Sequence, residues 1–154
     1  MRITSSAFEN DRAIPTIHTC DGDDTSPPLA FEDVPADARS LALIVDDPDA
    51  PGKVWVHWLA WNLAAAMDGL PANVPKTSVV EELEGLRQGK TDFDSVGYGG
   101  PCPPPGHGTH HYRFTLYALD GHIDLEAGAT RRALEARLEG HVIEEARLVG
   151  TYER

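Results

Sequence analysis

Three aspartates fall within four positions at Asp46-Asp47-Pro48-Asp49, followed directly by Ala50-Pro51. Carboxylates this close repel one another unless something holds them, and the prolines stiffen the backbone that carries them. Such a group can orient a histidine or bind a ligand's ammonium, or it can be a solvated acidic turn. His57 follows as the one ionisable side chain of an apolar run, VWVHWLAWNL, at Val54–Leu63. A buried histidine must hydrogen-bond, so His57 reads either as a satisfied core residue or as part of a site. A hairpin between the two segments would bring Asp47 or Asp49 beside it.

The segment Gly97–Tyr112, GYGGPCPPPGHGTHHY, is the most unusual in the chain. Its glycines at 97, 99 and 100 allow close backbone approach, and free amides there can form an anion-binding concavity. Pro101 and Pro103–Pro105 make it stiff. Stiff loops of this length often line sites, although a plain connector between strands has the same composition. His107, His110 and His111 invite a metal reading. His110 and Tyr112 share one side of an incoming strand and His111 faces the other way, so the three do not obviously converge. A zinc site from His57, His110 and an aspartate has enough ligands, but no cysteine pair or HExxH-like spacing supports it, and the expectation is no metal and no cofactor. No G-x-S-x-G elbow is present. Cys20 and Cys102 match no zinc spacing, and without a secretion signal both are expected to be free thiols.

The elements that must position these residues are short apolar runs separated by turn signals, which favours an all-β or β-rich domain. Leu41–Val45 (LALIV) reads as a strand running into the acidic turn at Asp46. In the next strand Val54, Val56, Trp58 and Ala60 point one way and Trp55, His57, Leu59 and Trp61 the other. Both faces are apolar, as in a central strand covered on both sides. Tyr112–Leu119 (YRFTLYAL) alternates as a strand. Ser78–Arg87 reads equally as a short amphipathic helix or an irregular surface segment. Thr130–Glu139 (TRRALEARLE) reads as a helix capped by Thr130 and stopped by Gly140, with Ala133, Leu134, Ala136 and Leu138 on one side. Val142–Val149 returns as a final strand.

The chain has 154 residues, 13 basic and 25 acidic, for a net charge of −12. That size suits one domain over residues 1–154. The charge argues against nucleic acid and anionic membrane surfaces as partners. Lys53, Lys76 and Lys90 are the only lysines; an acidic, lysine-poor surface suits a high-salt cytoplasm or a GC-rich genome, or simply aids solubility. No stretch approaches the roughly 20 apolar residues of a membrane span. The N-terminus MRITSSAFEN lacks the apolar core of a signal peptide, so a cytoplasmic location is expected.

Taken together, these segments resemble the phosphatidylethanolamine-binding protein family, also called the Raf kinase inhibitor protein family, in its bacterial and archaeal branch. One family signature resembles Asp47-Pro48-Asp49-Ala50-Pro51 followed by Trp55-Val56-His57-Trp58. The other resembles Gly97-Tyr98-Gly99-Gly100-Pro101 through Gly106, closed by His110-His111-Tyr112. Thr25-Ser26-Pro27-Pro28-Leu29 is family-like upstream, and the resemblance runs from about Phe8 to Tyr152. It implies a mainly β fold, with a large central antiparallel sheet, a smaller second sheet and one or two short peripheral helices. It also implies a pocket for phosphate-like groups, including the phosphoethanolamine headgroup. The family's pocket residues fall on Asp47, His57, Gly100, Pro104, His110 and Tyr112, with Trp55 and Pro51 as apolar wall. His111 stands where the family usually has arginine, His107-Gly108 lengthens the loop, and the C-terminal segment differs from the eukaryotic branch. Lipid binding and kinase inhibition therefore transfer poorly.

Two imidazoles and a few backbone amides can grip a phosphate dianion through charge-assisted hydrogen bonds. Affinity should then fall above roughly pH 6.5, the ordinary histidine value. The leading expectation is a non-enzymatic binder of a small anion of phosphate or phosphoethanolamine type, with regulation of a protein partner as an added role. The alternatives are an enzyme acting on a small phosphoester with His57 and His110 as acid and base, and an interaction protein with a vestigial pocket. Bacterial relatives suggest a homodimer, though nothing in the pattern identifies an interface.

Overall fold

A computed structural model describes residues 1–154. Ten strands form: β1 (Arg2–Thr4), β2 (Arg12–Ala13), β3 (Leu29–Glu32), β4 (Ser40–Asp47), β5 (Trp55–Ala64), β6 (Gly69–Leu70), β7 (Val79–Val80), β8 (Leu86–Gln88), β9 (His110–Leu119) and β10 (Val142–Tyr152). Seven of them make one sheet in the order β2-β10-β9-β4-β5-β8-β7, and β1-β3-β6 make a smaller one. The fold is mainly β. The large sheet is mixed rather than wholly antiparallel, because β2 joins β10 in parallel.

Every residue of β4 is buried, as its two-sided apolar pattern requires. Leu41, Leu43 and Val45 face a core shared with Ile3, Leu29, Phe31 and Leu70 of the small sheet. Ala42 and Ile44 face a second cluster beneath the single α-helix, α1 (Arg131–Leu138). Thr130 caps α1, its hydroxyl accepting from the Ala133 amide at 3.3 Å, a contact worth about 1 kcal/mol. Gly140 ends it at φ 81°. Leu134 and Leu138 are buried, whereas Ala136 is exposed. The expected apolar side is narrower than read, because two residues are about 200° of helix rotation.

Ser78–Arg87 forms neither the helix nor the irregular segment expected. It makes an antiparallel pair, β7 with β8, across a 3-10 turn at Glu81–Leu83. Glu84 and Gly85 both turn with positive φ, which a helix could not carry.

The simple alternation expected for β5 is interrupted twice. Val45 pairs with Trp58 but Asp46 pairs with Val56, so His57 has no partner of its own on β4. A second shift lies at Trp61–Asn62, where Asn62 has φ 56°. These bulges divide each expected face. Val56 joins Leu59 and Trp61 under the helix, while Trp58, Ala60 and Leu63 pack in the inter-sheet core. Bulges re-aim side chains at sites, and this one leaves Trp55 and His57 together at the cavity while sending Leu59 and Trp61, expected beside them, to the opposite face.

Cys20 and Cys102 form a disulfide. The expectation of free thiols is corrected here: the two cysteines are 82 residues apart in sequence, and folding lays the proline-rich segment against the 3-10 turn at Thr16–His18. The Cys20 amide donates to the Pro101 carbonyl at 3.1 Å. No helix is long and apolar enough to cross a membrane.

Candidate functional site

The three aspartates do not form one acidic turn. Asp46 and Asp47 end β4 and are buried; Asp49 is exposed. Their repulsion is relieved because each has its own donors. Asp46 accepts two bonds from Arg113, at 2.7 and 2.9 Å, and one from Arg131 at 2.8 Å. Both arginine pKa values are raised; hydrogen bonding to Asp46 drives this for Arg113, and for Arg131 the bonds to Asp46 and Glu135 outweigh desolvation. Asp47 accepts from His110 Nδ1 at 2.6 Å and from the Asp49 amide at 2.8 Å. Asp49 accepts from the His111 amide and Nδ1 at 2.9 and 2.8 Å. Asp47 thus pairs with His110, not with His57 as the hairpin argument suggested.

His57 is held by the glycine segment instead. Its Nδ1 lies 2.6 Å from the Gly99 carbonyl, which can only accept, so Nδ1 carries the hydrogen and Nε2 is left for other partners. The Gly99 amide donates back to the His57 carbonyl at 2.9 Å. Burial lowers the His57 pKa below its ordinary 6.5, more than the Gly99 carbonyl and the nearby aspartates restore. The ring is therefore neutral at pH 7.

A cavity of about 300 Å³ opens beside it, lined by Ala50, Pro51, Trp55, His57, Phe93, Cys102, Pro104, His110 and Tyr112. Six of the eight residues singled out from sequence meet here. Asp47 stands behind His110. Gly100 does not line the cavity; its amide donates to Asp24 Oδ1 at 2.7 Å. A Cβ at Gly100 would lie 2.3 Å from the His18 carbonyl oxygen, so its glycine is required by packing. With the Gly99 and Gly100 amides both committed, the segment does not present them to an anion.

Two residues of the cavity wall, Trp55 and Tyr112, each carry a buried donor. Trp55 Nε1 and Tyr112 Oη have no hydrogen-bond partner, and no other buried side-chain nitrogen or oxygen lacks one. Burial, followed by Asp47 and Asp49, pushes the Tyr112 phenol far above its ordinary range, so it remains a neutral O–H. His57 packs edge-on against Phe93 and Tyr112, with ring centres 5.2 and 5.1 Å apart. Phe93 was missed in the sequence. It is held over the site because Asp92 exchanges bonds with β5, Val56 donating to Asp92 Oδ2 at 2.7 Å. A lone aromatic between two aspartates in a polar stretch was the available signal. Of the three loop histidines weighed in the sequence, two converge: His107 Nδ1 lies 2.7 Å from His110 Nε2.

The sequence and the fold that carry these residues are similar to those of known proteins. Residues 4–153 match the family described as phosphatidylethanolamine-binding protein. This chain belongs to that family. A crystallised family homologue from Chlamydia trachomatis is 39% identical and superposes with a TM-score of 0.89 over 99% of this chain and 97% of that one. YbcL of E. coli, described as a member of the mammalian family, is 32% identical with a TM-score of 0.92, over 99% and 98%. A UPF0098 protein of Methanothermobacter thermautotrophicus is 47% identical over 154 residues, all of this chain and 99% of that one. The family's bacterial and archaeal branch is thus where this chain falls. His111 is exposed and paired with Asp49.

Proposed function

We propose that this protein is a non-enzymatic binder of a small phosphate-like anion, or of a phosphoethanolamine-type headgroup, in the cavity between Trp55, His57 and Tyr112. One observation carries this reading. Trp55 Nε1 and Tyr112 Oη are the two buried side-chain polar atoms without partners, and both residues line the same cavity. A buried donor left unpaired costs about 1–3 kcal/mol, a cost that a ligand oxygen would relieve. His57 Nε2 is the third polar atom of the wall. Because the ring is neutral, it accepts from a protonated ligand oxygen, or gains a proton as an anion enters. Binding therefore draws on neutral donors more than on two charged imidazoles. Regulation of a protein partner, homodimerisation and a cytoplasmic location belong to the same proposal.

The test is an NMR titration of the histidine rings with inorganic phosphate and with phosphoethanolamine in chelator-treated buffer. Saturable shifts at His57, weakened in Tyr112→Phe, support the reading. No saturable shift with either compound overturns it and leaves an interaction protein with a vestigial pocket. A second reading is favoured by the buried Asp47–His110 contact at 2.6 Å, the arrangement an acid–base enzyme uses to set a histidine tautomer. Turnover of a small phosphoester, lost in His57→Ala, would establish that alternative.

A further inference from the structure

The anion cavity uses neither His107 nor His111. His111 is engaged by Asp49. His107 is exposed and is carried between Gly106 and Gly108, which have φ of 77° and 90° and no atoms crowding them. Its one side-chain polar contact is with His110, ring nitrogen to ring nitrogen, at 2.7 Å. On the far side of His110, Nδ1 meets Asp47 Oδ2 at 2.6 Å. The contact places the ring hydrogen on Nδ1, toward the Asp47 oxygen, so Nε2 directs a lone pair at His107. At this distance the two imidazole nitrogens are joined by the hydrogen on His107 Nδ1, and a cation that replaced it would take both lone pairs.

We propose that His107 Nδ1 and His110 Nε2 chelate a divalent d-block cation of the zinc, nickel or copper class. The ligand chemistry selects that class, because imidazole suits these ions while magnesium and calcium require oxygen. Asp47 supplies the outer-sphere carboxylate that characteristically orients a metal-bound histidine. It is itself almost fully buried, with 4% of its side chain exposed, so His110 is fixed before any ion arrives. The geometry needs little change. Two nitrogens bound at 2.0–2.1 Å in a tetrahedral arrangement lie about 3.3 Å apart, and the flanking glycines let the exposed ring withdraw by that margin and turn its lone pair toward the ion. No group of three or more histidine, cysteine, aspartate or glutamate side chains is arranged to hold a metal. An ion held by these two nitrogens would complete its coordination with water or a small anion. The net charge of −12 favours a dication over the surface as a whole. Both cysteines are in the disulfide, so no thiol competes. His110 is shared with the wall of the anion cavity, but the inference does not require an anion to bind there.

The experiment is calorimetric titration of zinc, nickel and magnesium into chelator-treated, oxidised protein in phosphate-free buffer, with zinc followed in parallel by histidine NMR. One saturable equivalent of zinc and of nickel is expected, with His107 and His110 ring shifts and no response to magnesium. His107→Ala, at an exposed position, should weaken zinc at least about tenfold. His141→Ala, which removes a surface histidine paired with Asp120, should leave zinc binding unchanged. Absence of saturable zinc binding overturns the proposal. So does zinc binding as tight in His107→Ala as in wild type, or binding lost instead in His141→Ala.

Discussion

His57 and Gly99 hold each other through two hydrogen bonds, the His57 ring donating to the Gly99 carbonyl at 2.6 Å and the Gly99 amide donating to the His57 carbonyl at 2.9 Å. The pair joins the bulge of β5 to the glycine segment. It fixes the tautomer that leaves Nε2 available, and it explains why a glycine is needed there: a Cβ on residue 99 would lie 2.6 Å from the Phe93 ring.

The pH dependence of stability follows from that buried ring. In the unfolded chain His57 titrates near 6.5, and in the fold its pKa lies below that value. Above about pH 6.5 both states hold the neutral ring and its stabilising contribution is fully present. As pH falls below 6.5 the unfolded chain takes up a proton that the folded one resists, so stability declines toward the folded value. Denaturant unfolding between pH 7.5 and 5 should show this loss in wild type and a shallower one in His57→Asn. Equal slopes would show that His57 contributes nothing to it.

Tyr112→Phe should separate ligand binding from folding. Removing a buried hydroxyl that has no partner leaves stability unchanged or raises it by up to about 1 kcal/mol. Phosphate affinity should fall about tenfold, the worth of one charge-assisted bond. A clear loss of stability with unchanged affinity would show that the hydroxyl serves the fold.

Asp46→Ala should destabilise far more than Asp49→Ala. Asp46 is 5% exposed and its loss strands Arg113 and Arg131. The cost is about 3 kcal/mol, at the low end for a broken buried pair, because both arginines keep over a quarter of their surface in water. Asp49 and His111 are 41% and 51% exposed, and losing that pair costs under about 1 kcal/mol. Denaturant midpoints of the two variants measure the difference.

Thiol titration of the unreduced, denatured protein should find no free cysteine. Replacing Cys20 and Cys102 together by serine should lower stability by about 2–4 kcal/mol, the usual range for a disulfide closing a long loop. Because Cys102 lines the cavity, the same variant should bind phosphate more weakly. Unchanged affinity would show that the prolines alone hold that wall.

Much of this was legible one segment at a time. The apolar runs at 41–45, 54–63 and 112–119 are strands because their patterns report burial to one or both sides, and Thr130 and Gly140 mark a helix whose ends depend on neighbours only a turn away. The two family-like motifs located six residues of the cavity wall. What the sequence by itself determined is therefore local: periodicity, capping and turn chemistry act between residues close along the chain. Tertiary structure decided the rest. The bulge that parts His57 from Leu59 and Trp61 depends on the register of β5 against β4. Asp46 finds Arg113 and Arg131 only because β9 and α1 are laid beside it, and Cys20 meets Cys102 only when the proline segment crosses the Thr16–His18 turn. Gly100 is a glycine because of the His18 carbonyl, not because of a ligand. These relations join residues tens of positions apart, and strand register and packing set them.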